Sequence, residues 1–385
     1  MNTKELQKLR LQIDSIDQQI QNLMQQRANY AIKVGEFKLR TEKTPVFYRP
    51  EREAEIINKI QERNHGPLSN QDLDALFSLL MQKCRQLQQH LIKTTIAKTK
   101  QKQLTIIGLG LIGGSIAMAA KASHLFEKIV AYDIDKKALS LATKVGIIDM
   151  SEKTITAAAK NADLIMIAVP IEKLATVLKQ IKPALNKNTI ITDVISVKQS
   201  VAVVAKKILG AQFKQFVLGH PIAGSEKQGI TAAKAGLFNH RTVVLTPDKQ
   251  TQPTAIKTVT LFWQQLGSQI EILTPQLHDQ FLATTSHLPQ LLTYAYAANV
   301  GQQKKIETLL KFTGSGFRDF TRLARSHPNL WIGICLANRQ ELLKQLGQLQ
   351  KTLTNIQSAL QKQNAKKLKN IFTMAACFTK NPVEN

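Results

Sequence analysis

Two groups of residues in this 385-residue chain have types and spacing that carry chemistry. The first is Gly108-Leu-Gly110-Leu111-Ile112-Gly113, which directly follows the apolar run Leu104 to Ile107 and precedes Asp133 by twenty residues. Glycines at this spacing suit a dinucleotide. Gly108 serves a tight turn, Gly110 lets a pyrophosphate approach, and Gly113 packs a helix whose first amides, around Leu111 and Ile112, face the phosphates. Asp133 would hold the ribose diol and repel a 2′-phosphate, so the expected cofactor is NAD rather than NADP. The second group lies near the N-terminus. Apolar residues recur at Leu6, Leu9, Ile13, Ile16, Ile20, Leu23, Tyr30, Val34 and Phe37, and Arg27 stands in that series where an apolar residue is expected. A guanidinium buried without an anion is strongly unfavourable, so Arg27 implies an anionic ligand inside a helical bundle. Lys38 falls about 20° round an ideal helix from Arg27 and shares its face. Arg10 lies about 100° away and about 26 Å along the same helix, so only a partner chain brings it to that pocket.

These residues need elements to position them. Apolar spacing of three and four, without Pro or a glycine cluster, predicts one long helix over residues 4–40. Pro45 interrupts, Pro50 opens a second helix through about Arg63, and Ser69-Asn70-Gln71-Asp72 caps a third through about Lys93. Three helices in about 90 residues cannot wrap so long a first helix, so its seam predicts pairing with a second copy of the chain. After a polar, basic linker at 94–103, short apolar strands alternate with helical patterns. The expected strands are Leu104–Ile107, Ile129–Asp133, Leu164–Val169, Thr189–Val194, Phe216–Gly219, Arg241–Leu245 and Ile270–Leu273. Their alternation with helices predicts a mainly parallel sheet covered on its faces. From Pro275 the pattern is helical throughout. The reading is a multi-domain chain: an all-α three-helix domain at 1–93, an α/β Rossmann-like domain at 104–274 and an all-α domain at 275–385.

Lys and Arg number 52 against 27 Asp and Glu, a net charge of +25. Aromatics are only 5% and do not interleave with basic runs, so a nucleic-acid partner is not expected; some arginines are reserved for small anions. Leu104 to Ala122 imitates a membrane span, but four glycines break its middle, and MNTKELQKLR has no apolar signal core. No membrane partner is expected, and the expected location is cytoplasmic. Cys84, Cys335 and Cys377 show neither paired nor ligand spacing, and the histidines build no metal site.

Four further segments narrow the class. They are Asp193-Val-Ile-Ser196-Val-Lys198, Gly219-His220-Pro-Ile-Ala-Gly-Ser-Glu226, Ser286-His287-Leu-Pro289 and Gly314-Ser-Gly-Phe-Arg318-Asp319-Phe-Thr-Arg322. In this order they resemble the prephenate dehydrogenase family, over about Leu104 to Leu342. The resemblance implies oxidative decarboxylation of prephenate to 4-hydroxyphenylpyruvate with reduction of NAD, and a C-terminal helical dimerisation domain. By resemblance His220 engages the ring hydroxyl, polarising it or taking its proton as hydride leaves the same carbon, and Ser196 shares that hydrogen bonding and meets the nicotinamide edge. Arg322 and Arg318 bind the substrate carboxylates, and His287 and Glu226 line the substrate pocket.

The first 90 residues resemble the all-helical class of chorismate mutase. The carrying residues are Leu9-Arg10, Arg27, Val34-Gly35 with Lys38, Pro45-Val46, Arg49-Pro-Glu-Arg52-Glu53 and Cys84-Arg-Gln-Leu-Gln88. The resemblance implies two intertwined chains that exchange Arg10. It assigns Arg10 and Arg27 to the carboxylates of chorismate, Lys38 and Gln88 to its ether oxygen, and Glu53 to its ring hydroxyl, with Arg52 in support. Two positions depart from the pattern: Arg49 stands where some members have an acidic residue, and Cys84 where others have serine. Prephenate is the first activity's product and the second's substrate. Together they imply a homodimeric bifunctional enzyme of tyrosine biosynthesis. The alternative is a prephenate or arogenate dehydrogenase with a catalytically silent helical arm.

Overall fold

A computed structural model describes residues 3–41, 50–97, 101–224 and 227–379. The chain divides into two compact units, Met1–Thr274 and Pro275–Asn385. The first unit opens with three helices, α1 (Thr3–Thr41), α2 (Pro50–Glu62) and α3 (Asn70–Ala97). At 1.5 Å per residue α1 is about 58 Å long. Ser69 and Asp72 cap α3 reciprocally: Ser69 Oγ accepts the Asp72 amide at 3.1 Å, and Asp72 Oδ2 accepts the Ser69 amide at 3.2 Å. Both α1 and α2 pack on α3. The seam residues Leu9, Ile13, Ile16, Ile20 and Leu23 stay exposed in the single chain.

Strands β1 (Gln101–Ile107), β2 (Phe126–Tyr132), β3 (Met150–Ser151), β4 (Leu164–Ile167), β5 (Ile190–Asp193) and β6 (Phe216–Val217) form one parallel sheet in the order 3-2-1-4-5-6. Helices α4 (Leu111–Ala122), α5 (Lys136–Lys144), α6 (Ile155–Ala159), α7 (Ile171–Ile181) and α8 (Gln199–Leu209) alternate with them. A parallel sheet covered on both faces needs strands that are apolar on both sides. All four β4 residues, Leu164 to Ile167, are accordingly buried. The order reverses between β1 and β4, and in open α/β sheets ligands bind at such a switch point, beyond the strands' carboxyl ends.

Two expectations need correction. The expected linker is shorter, because α3 runs to Ala97 and β1 begins at Gln101. The expected strand Phe216–Gly219 is two strands. The chain leaves the parallel sheet after Val217, and β7 (Gly219–Pro221) pairs antiparallel with β8 (Thr242–Leu245), which pairs parallel with β9 (Gln269–Ile272) after α9 (Pro253–Gln265). The cause is local. The Gly219 amide is taken by the Asp193 carboxylate, and Gly219 passes so near β5 that an added Cβ would lie 2.9 Å from the Asp193 carbonyl oxygen.

The second unit is helical: α10 (Pro275–Leu282), a π-helical turn at Ala283–His287, α11 (Leu288–Gly301), α12 (Ile306–Leu310), α13 (Ser315–Arg322), α14 (Pro328–Ala337), α15 (Arg339–Gln361) and α16 (Ala365–Thr379). Among the described residues no helix is long and apolar enough to cross a membrane.

The glycine loop gives a test of its own geometry. A Cβ at Gly113 would lie 1.9 Å from the Gly108 carbonyl oxygen, whereas a Cβ at Gly110 meets nothing within 4 Å. Gly113→Ala is expected to destabilise the protein by about 1–3 kcal/mol, and Gly110→Ala by no more than about 0.5 kcal/mol. Urea unfolding of the two variants checks the contrast.

Candidate active sites

Between the first three helices the structure gathers polar groups around one face of α3. Arg27 on α1 is half-buried and donates to Cys84 Sγ at 3.1 Å. One turn further along α3, Gln88 is buried and donates Nε2–H to the Ala31 carbonyl at 2.7 Å. Glu53, half-buried on α2, pairs with Arg85 on α3. Lys38 is half-buried on α1, two turns beyond Ala31. Arg27, Glu53 and Gln88 thus meet through residues 84–88 of α3. Arg10 is exposed and lies far down α1, as its spacing requires. The Arg52 side chain, by resemblance a supporting residue of this site, is 61% exposed and pairs with Glu55 at 2.5 Å. Adjacent helical residues point about 100° apart, and Glu55 sits three residues on, where a pair can form. Hydrogen bonds from Lys59 and Arg52 hold the Glu55 carboxyl down at about 2.

At the switch point, Gly108 has φ +100°, and an added Cβ would lie 2.4 Å from the Ala168 carbonyl oxygen, so the turn pressed against the end of β4 requires glycine. Gly110 precedes α4 with extended backbone and no side-chain cap. The first amides of α4, including Leu111 and Ile112, lack helical partners, and the space over Gly110 is open. Asp133 accepts the Leu109 amide at 2.5 Å on one oxygen and the Asp135 amide at 2.7 Å on the other. A carboxylate has about four lone-pair sites, so it retains capacity for a diol. Open backbone amides with an acidic residue beside them fit a dinucleotide.

Beyond β5 lies a buried charge pair. Lys198 Nζ donates to Asp193 Oδ2 at 2.5 Å and to the Gly219 carbonyl at 2.6 Å, with both side chains fully buried. Asp193 Oδ2 also accepts the Ile195 amide at 3.0 Å, and Oδ1 accepts the Gly219 amide at 3.2 Å. Burial pushes the Asp193 carboxyl up from its ordinary range, against the opposing pull of Lys198. The pair fixes the peptide groups on both sides of Gly219 and so the approach to His220, which is buried in β7. It also fixes the loop carrying Ser196, which is half-buried.

In the second unit, Arg318 and Arg322 are exposed on α13, four residues apart and on one face. Gln290 and Tyr294 of α11 hold the turn that follows, donating to the carbonyls of Leu323 and Ser326, each at 2.7 Å. His287 ends the π-helical turn and is buried, edge-on to Trp331. Asn338 Nδ2 donates to the Asp279 carbonyl at 2.8 Å and faces His287 Nδ1 at 3.0 Å. An amide nitrogen only donates, so His287 Nδ1 accepts and its proton sits on Nε2, which has no partner among the described residues. Glu226 lies outside the described residues. No group of three or more His, Cys, Asp or Glu among the described residues could hold a metal ion.

Comparison with known proteins bears on all three regions. Residues 116–272 match the prephenate dehydrogenase nucleotide-binding domain, 274–374 the prephenate dehydrogenase dimerization domain, and 9–89 chorismate mutase type II. The prephenate dehydrogenase of Bacillus subtilis is 32% identical over 274 residues, 71% of this chain and 74% of that protein. The chain belongs to the prephenate dehydrogenase family. The crystal structure of prephenate dehydrogenase from A. aeolicus in complex with hydroxyphenyl propionate and NAD+ is 30% identical, with a TM-score of 0.68, covering 72% of this chain and 98% of that one. At the other end, the bifunctional chorismate mutase/prephenate dehydratase of Pseudomonas aeruginosa is 42% identical over 90 residues, 23% of this chain and 25% of that protein.

Asp193, Lys198 and Arg85 stand inside the sequence motifs without an assigned role, and Asn338 stands outside them. The available signal was two opposite charges five residues apart at the end of an apolar strand. Burial of His287 generates a pH test. Desolvation holds its folded value at about 4 against an ordinary 6.5, so between these pH values the unfolded chain binds a proton that the folded chain does not. Stability is therefore lost as pH falls through this window, by up to about 3 kcal/mol. Urea midpoints measured at about pH 6.5 and pH 4.5 are expected to fall more steeply for the wild type than for His287→Gln; parallel slopes would contradict the assignment.

Proposed function

We infer that the protein is a bifunctional enzyme of tyrosine biosynthesis, an isomerase and an NAD-dependent oxidoreductase. It rearranges chorismate to prephenate and oxidatively decarboxylates prephenate to 4-hydroxyphenylpyruvate. One observation carries this reading: a type II chorismate mutase segment and both prephenate dehydrogenase domains share a single chain, and the first reaction makes the second's substrate.

The rearrangement is pericyclic and needs no acid, base or nucleophile. Fixed charges hold a compact conformer of chorismate and stabilise charge on the breaking ether oxygen. We assign Arg27 and Arg10 of the partner subunit to the two carboxylates, Lys38 and Gln88 to the ether oxygen, and Glu53 to the ring hydroxyl. A second copy that covers the α1 seam supplies this arginine, so the working form is a homodimer, and its location is the cytoplasm.

For the second reaction, the amides around Leu111 and Ile112, the open approach at Gly110 and the Asp133 carboxylate hold NAD. When bound, NAD supplies the hydride acceptor for the ring carbon that carries the hydroxyl. His220 takes the proton of that hydroxyl and, after the ring carboxylate is lost as carbon dioxide, returns it to the phenolate oxygen. Ser196 shares the hydrogen bonding at the hydroxyl. Arg322 and Arg318 bind substrate carboxylates in the forked geometry that guanidinium offers, and His287 and Glu226 line the pocket. Aromatisation of the product makes the step effectively irreversible.

Purified protein given chorismate and NAD, without added prephenate, is expected to form NADH and 4-hydroxyphenylpyruvate in equal amounts. A flat trace that added prephenate restores would reduce the helical segment to a silent arm. His220→Asn is expected to lower dehydrogenase kcat about 10²- to 10⁴-fold while chorismate consumption continues.

A further inference from the structure

We propose that Arg85 is a positioning residue of the mutase pocket, which holds the Glu53 carboxylate in place and offsets its charge so that a dianionic substrate can enter. The proposal rests on the chorismate mutase reading of the helical segment. Met81, Cys84, Arg85 and Gln88 follow the spacing of one helix face, and Met81, Cys84 and Gln88 are buried. That face meets Arg27 through Cys84 and the Ala31 carbonyl through Gln88. A guanidinium placed in it, like Arg27 in the α1 seam, is unfavourable unless an anion answers it.

The anion is Glu53. The two side chains are each only 24% exposed, whereas Arg52 and Glu55, one residue before and two after Glu53 on the same helix, are 61% and 46% exposed. Helix α2 therefore carries the Arg52–Glu55–Lys59 pairs turned to solvent and the Glu53–Arg85 pair turned inward to α3. The inward pair has a consequence for binding. An unpaired Glu53 would place a third negative charge beside the two carboxylates of chorismate, at the low effective dielectric of a half-buried site. Arg85 cancels that charge and engages Oε1, which leaves Oε2 of Glu53 to accept a ring hydroxyl. Arg85 thus acts through Glu53, and removing Glu53's charge should remove the need for Arg85.

The test measures mutase kcat and KM for chorismate in the full-length protein and in Arg85→Leu, Arg85→Lys, Glu53→Gln and the Arg85→Leu/Glu53→Gln double variant. NADH formation from added prephenate serves as the control for an intact remainder. Arg85→Leu is expected to lower kcat/KM at least about tenfold, largely through KM, while in the Glu53→Gln background the same change costs under about twofold. Arg85→Lys keeps a cation and is expected to retain at least about half of kcat/KM. An equal loss in both backgrounds, a loss under about twofold in the wild-type background, or a lysine variant no better than leucine would overturn the proposal. If Arg85→Leu alone fails to fold, the double variant against Glu53→Gln still reads the cost without the Glu53 charge, where a loss above about twofold overturns the proposal, and Arg85→Lys reads it in the wild-type background. Wild-type protein that turns over prephenate but not chorismate would instead overturn the mutase reading itself.

Discussion

The dehydrogenase half of the molecule depends on one buried interaction, the Asp193–Lys198 ion pair. Two charges removed from water are costly, and their attraction repays that cost only when the remaining lone pairs and protons are also used. Here they are: Asp193 takes two backbone amides besides the ammonium, and Lys198 adds the Gly219 carbonyl. The pair joins the end of β5 to the first residue of β7 and sets the turn that carries Ser196. Loss of one partner would strand a charge in the core at about 3–5 kcal/mol, and would release both chain segments that lead to the reacting groups. Precision at His220 is thus bought with a polar core rather than an apolar one.

Some of this was legible in the chain and some was not, for physical reasons. Gly108 and Gly113 were readable because they answer backbone requirements that no other residue meets, and the structure presses Gly108 on Ala168 and Gly113 on Gly108. The seam of α1 and the misfit of Arg27 were readable because helical periodicity is local. The division of Phe216–Gly219 was not, since two strands that meet end to end in different sheets share one apolar pattern. Arg85 and Asn338 act through partners 32 and 51 residues away, which no local pattern encodes.

The Asn338 contact has a consequence for molecular discrimination. By fixing the proton of His287 on Nε2, it makes the ring a one-way group at neutral pH, able to offer a hydrogen and unable to receive one at that atom. Whatever molecule abuts it must bring a lone pair. A carbonyl or carboxylate oxygen would satisfy the buried N–H, whereas an ammonium would set hydrogen against hydrogen. A single amide in the turn between α14 and α15 thereby sets the direction of the hydrogen bond that a buried imidazole can offer.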